Sequence, residues 1–404
     1  MQFSSVIGQK ATREQLIQMV QQNRLGHALL FLGNEGTGAL SLALAFAQYI
    51  NCEKVTGKNQ ATSGGPSLFG DPEPVAINAV LYPTDSCGTC PSCQKASQLI
   101  HPDIHFSFPV ITKKSGEKPI SADYIKEWRE FIKLYPYGNS FDWLQFINAE
   151  NKQGNITAEE CNDIIRKLSL KSYEGGYKIL IIWMPEFLTK NGNKLLKLIE
   201  EPPPDTLFML VAENEQLILP TIVSRTQLVK IPRLSSMEIE AALELRAGVS
   251  IQKAEQIAAI SEGNYHEAIQ QLQHSDEDWN SLLREWLNYI AKNDLSAQVK
   301  WIDDTAKLGR EKQKQFLRYF IHLIEQAIRL QMIPAWVNPQ NNNDTDFAVR
   351  LNKLTGIAQQ EAIARELNMA SYYIERNANA KMLFHALTIR MHHIIRNNSL
   401  ILMD

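Results

Sequence analysis

The stretch His27-Ala-Leu-Leu-Phe-Leu-Gly33-Asn-Glu-Gly-Thr-Gly38-Ala39-Leu40 decides the fold. The apolar run at 27–32, the glycine-bearing loop at 33–38 and the helix-like stretch at 39–50 make the strand, loop, helix arrangement of phosphate-binding proteins. Gly33 and Gly38 keep the spacing of G-x-x-x-x-G-K-[ST], but Ala39 stands at the lysine position and Leu40 at the Ser/Thr position. That chemistry needs the lysine to reach the β- and γ-phosphates and the hydroxyl to hold Mg²⁺. A hydrogen bond to a charged group is worth about 1.5–3 kcal/mol, so losing both contacts weakens ATP binding severely. Alone, a glycine pair at this spacing without its lysine is as readily chance as design, and its neighbours in the sequence must decide.

Working outward, an amphipathic stretch at 12–22 precedes the loop, and residues 55–86, rich in Gly, Pro, Ser and Thr, read as a long exposed insertion. A second insertion, about 112–151, carries a helical pattern at 122–134. Alternation then resumes, with helix at 158–168, a buried strand at 178–183, helix at 190–200 and another buried strand at 206–211. Strands alternating with helices predict an α/β fold whose parallel sheet is covered on both faces. After Pro232 the pattern is wholly helical: 235–245, 251–261 and 265–272 read as a small three-helix unit, and longer helices follow from about 275. There is no internal repeat.

The strand at 179–182 ends in Trp183 and Met184, where active ATPases of this class carry Asp-Glu. Glu186 comes too late in that register, and strand alternation turns it elsewhere. Trp183 and Met184 therefore read as core residues in a catalytic position, leaving Mg²⁺ and the attacking water without an organiser.

The chain has 404 residues, 44% hydrophobic and 21% charged, with a net charge of −3. This is ordinary globular composition. It lacks the overall basic field of an autonomous nucleic-acid binder, so DNA contact would be local or shared with partners. The first residues do not read as a signal peptide, and no apolar run reaches the ~18 residues of a membrane span. A cytoplasmic, reducing compartment is expected, in which clustered thiols point to metal rather than disulfides. Cys87-x-x-Cys90-x-x-Cys93 is a tight knuckle, and Cys52 closes the helix after the glycine loop. Four thiolates suit a closed, structural Zn²⁺ site with no water to activate. Cys52 is 34 residues before Cys87, so His101 or Cys161 stands as an alternative fourth ligand; Cys161 otherwise reads as a helix-buried thiol.

Several segments, in order, resemble the delta-prime branch of the bacterial DNA polymerase III clamp-loader family, of AAA+ type. They are Phe3-Ser-Ser-Val-Ile-Gly8-Gln9, Arg24 to Gly33, Leu168 to Ile182, Asn193-Lys-Leu-Leu-Lys-Leu-Ile-Glu-Glu-Pro-Pro203, and Leu219-Pro-Thr-Ile-Val-Ser224-Arg225-Thr226. The likeness is good over 1–275 apart from the insertions, and beyond that rests on helical character alone. It implies an AAA+ α/β domain with a zinc knuckle at 1–233, a helical lid at 234–274 and a helical, ring-forming collar at 275–404. It also implies a role inside a hetero-oligomeric DNA polymerase III assembly that opens a sliding clamp and places it on primer–template DNA. The partners would be an ATPase subunit and a clamp-opening subunit. Members of this branch do not hydrolyse ATP, which agrees with Ala39, Leu40, Trp183 and Met184. The resemblance gives Cys52, Cys87, Cys90 and Cys93 as zinc ligands. It makes Arg225, next to Ser224, the finger that reaches the ATP of a neighbouring subunit, so that ATP is expected only at that neighbour's site. Thr226 departs from the family's cysteine, which is not a chemical participant. His266 stands where active relatives place a nucleotide-sensing arginine, and reads as a helix-surface histidine.

Two other readings compete. A live ATPase of the same fold would need a lysine and an acid from unexpected positions, for which Lys10, Lys178 and Glu186 are the nearby candidates. A zinc-dependent nucleic-acid-binding module that kept only the fold would bind DNA alone with a steep salt slope.

Overall fold

A computed structural model of the protein describes residues 1–57, 84–112, 116, 118–149, 152, 154–273, 279–332, 342–375 and 378–397. Most of the first expected insertion, 58–83, and residues 113–115, 117, 150 and 151 of the second lie outside the described residues. The chain divides into two compact units, Met1–Ile269 and Gln270–Asp404.

The first unit is built on a parallel sheet of β1 (Ala28–Gly33), β2 (Ile104–Ser107), β3 (Lys178–Trp183), β4 (Thr206–Ala212) and β5 (Gln227–Ile231), in the order β2-β3-β4-β1-β5. Leu30 of β1 lies opposite Leu210 of β4 and Leu228 of β5. Every residue of β3 and β4 is buried, which is why both appear in the sequence as unbroken apolar runs. Their side chains alternate between two cores. Leu29, Phe31, Ile181, Met209 and Val211 pack with the fully buried helix Ala39–Ile50, while Leu30, Leu180, Ile182, Phe208 and Leu210 pack with Ile164 and Leu168 of helix Ala158–Ser169. β2 and β5 escaped the sequence reading. β2 has only four residues, and β5 is a sheet edge with Gln227, Leu228 and Lys230 exposed.

The helix expected at 190–200 is a tighter 3₁₀-type stretch, Pro185–Leu195, followed by a short α-helix, Leu196–Glu200. Thr189 at φ 46° interrupts the stretch, and the run Asn191-Gly-Asn193 has low helix propensity.

The second insertion is folded. Residues Ser121–Tyr124 make a 3₁₀ turn, and helices Ile125–Leu134 and Ser140–Phe146 follow. Only the first of these helices was anticipated. The second starts at Asn139, whose Oδ1 accepts from Asp142 N at 2.8 Å while Asn139 N donates to Asp142 Oδ2 at 3.0 Å, a reciprocal cap. Trp128, Phe131 and Trp143 pack as one aromatic cluster, and Trp183 at the end of β3 joins it, 5.2 Å from Trp128 and 6.1 Å from Phe131 between ring centroids. The residue in the acidic-motif position is thus an anchor for the insertion.

Three helices, Ser236–Ala247, Ile251–Ile260 and Tyr265–Gln273, follow β5. In the second unit the described residues form helices only: Trp279–Lys292, Leu295–Ala306, Arg310–Met332, Asn342–Leu354, Ile357–Glu375 and Ala380–Asn397. Their core holds Trp286 stacked on Trp301 at 4.8 Å, with Trp286 Nε1 donating to Thr388 Oγ1 at 3.0 Å. Among the described residues no helix is long and apolar enough to cross a membrane.

Candidate functional site

β1 delivers the chain into the loop at Gly33, and helix Ala39–Ile50 leaves it after Gly38. Thr37 Oγ1 donates to Asn34 O at 2.7 Å and ties the loop upon itself. Gly38 sits at φ 85°, and a Cβ there would lie 2.7 Å from Cε1 of Tyr137, so the position needs glycine twice over. Ala39 and Leu40 are buried in the core.

The loop's open side is covered by the chain itself. Ser41 Oγ donates to Pro136 O at 2.7 Å, Ile7 N donates to Tyr137 Oη at 2.7 Å, and Asn139 Nδ2 donates to Glu35 Oε1 at 3.2 Å. From the helical segment after β5, Tyr265 N donates to Gly36 O at 3.2 Å, and the Tyr265 ring meets Tyr137 edge-on at 5.0 Å. The Arg246 guanidinium lies 5.9 Å and 6.0 Å from the centroids of these two rings. The space remaining between Gly33, Gly38, Tyr137, Trp183, Met184 and Glu213 is about 30 Å³, room for a water molecule or two.

His266 corrects the sequence reading. It is not a surface histidine but is only 5% exposed. The reason is charge pairing: Nδ1 lies 2.9 Å from Glu35 Oε1 of the loop, and Nε2 lies 2.6 Å from Asp142 Oδ2 of the insertion. Burial acts to lower its pKa, but the Asp142 and Glu35 carboxylates outweigh it and push the imidazole up to about 10. With the folded value above the ordinary 6.5, the stability from this charge is fully present below about pH 6.5. It declines as pH rises and is lost above about pH 10. In chemical denaturation, wild type is expected to lose more stability between pH 6.5 and 10 than His266→Gln. At neutral pH the substitution should cost about 3 kcal/mol, since it leaves carboxylates facing each other with no cation between them.

The groups a live ATPase would borrow are engaged elsewhere. Lys178 opens β3, and its Nζ donates to Leu168 O at 2.6 Å and Leu170 O at 2.7 Å. Because the strands are parallel, that is the end of the sheet opposite the phosphate loop. Glu186 accepts from Glu213 N at 2.7 Å and Asn214 N at 2.9 Å, and burial pushes its carboxyl up. Lys10 is exposed at the start of helix Lys10–Gln21.

Ser224 caps the short helix Pro220–Val223, and Arg225 follows. The Arg225 side chain is 36% exposed. Its Nε pairs with Glu200 at the end of helix Leu196–Glu200, and its Nη1 donates to Thr221 O at 2.8 Å and Ser224 Oγ at 3.2 Å. Arg225 does not line the cavity at its own phosphate loop.

Cys52, Cys87, Cys90 and Cys93 come together, their sulfurs all within 4.8 Å of one another. Four sulfurs at about 2.3 Å from a tetrahedral ion would stand about 3.8 Å apart, and Cys87 Sγ and Cys93 Sγ are 3.9 Å apart. Backbone N–H groups already point at the sulfurs: Cys87 N to Cys52 at 3.3 Å, Cys90 N to Cys87 at 3.3 Å and Cys93 N to Cys90 at 3.4 Å. Such donors favour thiolates. The Cys52 thiol is pushed down to about 4, chiefly by the hydrogen bond from Cys93, whose own pKa is pushed up by the same bond. This donor set can hold a metal ion. Both alternative fourth ligands lie outside the cluster: His101 Nε2 is 3.0 Å from Ser92 Oγ and 3.1 Å from Glu174 Oε2, while Cys161 donates to Asn191 O at 3.5 Å. Burial pushes the Cys161 thiol up to about 11.

A family model described as DNA polymerase III, delta subunit, matches residues 8–65 and 81–235, just over half of the chain. A Bacillus subtilis protein named DNA polymerase III subunit delta' is 27% identical over 263 residues, 65% of this chain. The match spans 58% of that relative, less than two thirds of its length. A Haemophilus influenzae protein of the same name is 25% identical over 305 residues, covering 71% of this chain and 72% of the relative. A solved Thermotoga maritima structure, described as a DNA polymerase III, gamma subunit-related protein, aligns with 95% of this chain and 100% of its own, at 14% identity and a TM-score of 0.38.

Proposed function

Because the chain belongs to the family described as DNA polymerase III, delta subunit, we propose that it is a non-hydrolysing, delta-prime-type subunit of a replication clamp loader that lends an arginine to a neighbouring subunit's ATP. One observation carries the reading. Arg225 is displayed at the surface of a domain whose own phosphate loop lacks the lysine, the hydroxyl and the acid. A guanidinium so placed has a use if the phosphate comes from another chain, where it neutralises charge developing on the transferred phosphoryl. In this role residues 1–233 form the AAA+ domain, 234–274 a lid and 275–404 the collar. The partners are an ATPase subunit and a clamp-opening subunit, with the sliding clamp and primer–template DNA reached through the complex. The work is done in the cytoplasm, where reduced thiols are available to the ion. The four-cysteine cluster fits Zn²⁺, held by Cys52, Cys87, Cys90 and Cys93 as a structural ion that pins the helix after the phosphate loop to the 87–93 segment.

The purified chain should neither turn over ATP nor bind it with micromolar affinity. Calorimetry and a phosphate-release assay check this, and micromolar affinity together with measurable turnover would sink the reading. The positions of Lys178 and Glu186 favour this outcome over a live ATPase. A steep salt-dependent affinity of the isolated chain for DNA would instead favour a nucleic-acid-binding module.

A further inference from the structure

The second insertion has no part in the function proposed above, yet several of its residues contact the phosphate loop and the helical segment after β5. Five separate interactions converge. The Tyr137 ring stands against Gly38, where the helix begins. Pro136 O accepts a hydrogen bond from the Ser41 hydroxyl, one residue beyond the place of the Mg²⁺-binding hydroxyl. Asn139 and Glu35 are hydrogen-bonded across the loop. Asp142 and Glu35 share His266 between them. Tyr137 and Tyr265 meet edge to face. The insertion is fixed from behind by Trp128 and Phe131 packed on Trp183.

We propose that residues 136–142 are a built-in occupant of the mouth of the chain's own nucleotide site, narrowing the space left at the helix N-terminus to about 30 Å³ and clamping the helical segment after β5 onto the loop. The anion that a phosphate would supply is replaced by two carboxylates of the chain, Glu35 and Asp142, on either side of His266. The site is then closed by substitution of ligand as well as by loss of catalytic groups. Holding the loop and the helical segment together no longer depends on whether nucleotide is present. This rests on the reading that the chain does not use its own site.

The test separates the occupant from the missing side chains. Mg·ATP binding is measured by equilibrium dialysis for four chains: wild type, the loop-restored Ala39→Lys/Leu40→Thr, the opened Tyr137→Gly/Asp142→Ala, and the fourfold combination. The restored loop alone is expected to bind no better than wild type. The combination should bind about tenfold or more tighter, the worth of one to two charge-assisted hydrogen bonds. Binding by the restored loop equal to that of the combination would overturn the proposal, and so would a folded combination that binds no better than the restored loop. Tight binding by wild type would instead overturn the reading on which the proposal rests. A second measurement needs no buried lysine: in Tyr137→Gly alone, amide hydrogen exchange over 36–42 should rise about tenfold, while β4 stays protected. Unchanged exchange over 36–42 would equally defeat the assignment.

Discussion

Replacing Arg225 with alanine is expected to lower the ATPase of the assembled loader about a thousandfold, the lower end of what an arginine finger contributes in other NTPases. Clamp loading on primed DNA should fall with it. Folding and ring assembly should stay close to normal, because the side chain is 36% exposed and its partners are one carboxylate, one carbonyl and one hydroxyl at the surface. Arg225→Lys should rescue little, since an ammonium cannot reproduce the planar fork of donors. If Arg225 only braces the interface between subunits, the alanine variant would assemble poorly yet turn over normally when the ring is driven together. Rates at saturating subunit concentration distinguish the two, and unchanged turnover there defeats the finger. The pairing of Arg225 with Glu200 adds a detail. The guanidinium is held at rest by a carboxylate of its own chain, so reaching a neighbour's phosphate means exchanging one anion for another.

If the four-cysteine cluster holds the zinc proposed for it, removing that ion should have the largest effect on stability. Structural zinc releases about 10–16 kcal/mol on binding, and that energy is coupled to folding. Each kcal/mol moves the unfolding midpoint of a domain this size by about 2–4 °C. Chelation, or Cys90→Ser, is therefore expected to lower the midpoint by about 10 °C or more. Cys161→Ser should leave metal content unchanged, because Cys161 is bonded to Asn191 O away from the cluster. Elemental analysis of protein purified without chelator should give one zinc per chain. A content near zero, or a Cys90→Ser chain that melts like wild type, counts against the assignment.

Much of this could be read in the residues themselves. The run at 27–40 carried β1, the loop and the next helix because their signals are local: an unbroken apolar strand, glycines at fixed spacing and a helix of small and apolar residues. The thiol knuckle was equally legible, since Cys87, Cys90 and Cys93 lie within one turn of chain and its helical continuation. Cys52 came only from the family resemblance, its spacing leaving His101 or Cys161 open, and the fold brings it to the knuckle at the end of helix Ala39–Ile50. The covering of the phosphate loop left no such trace. Its contacts join Asn139 to Glu35 across 104 positions and His266 to Glu35 across 231. No periodicity records a pairing at that range. The Asn139-x-x-Asp142 cap was visible and could have marked the second helix of the insertion, but not the surface it would cover. His266 was misread for the same reason. Its helix position was clear, but its burial comes from two carboxylates supplied by distant segments.

The place of Trp183 has a consequence for redesign. Its indole is locked among Trp128 and Phe131. A single change of Trp183 to aspartate would set a carboxylate against the aromatic rings of Trp128 and Phe131, at a cost of several kcal/mol before any gain in chemistry. A lysine at 39 would meet a loop already roofed by Tyr137. Each step toward a working nucleotide site is unfavourable unless the others have been taken first. Restoring a nucleotide site here therefore means changing the loop, the strand end and the insertion together rather than one residue at a time.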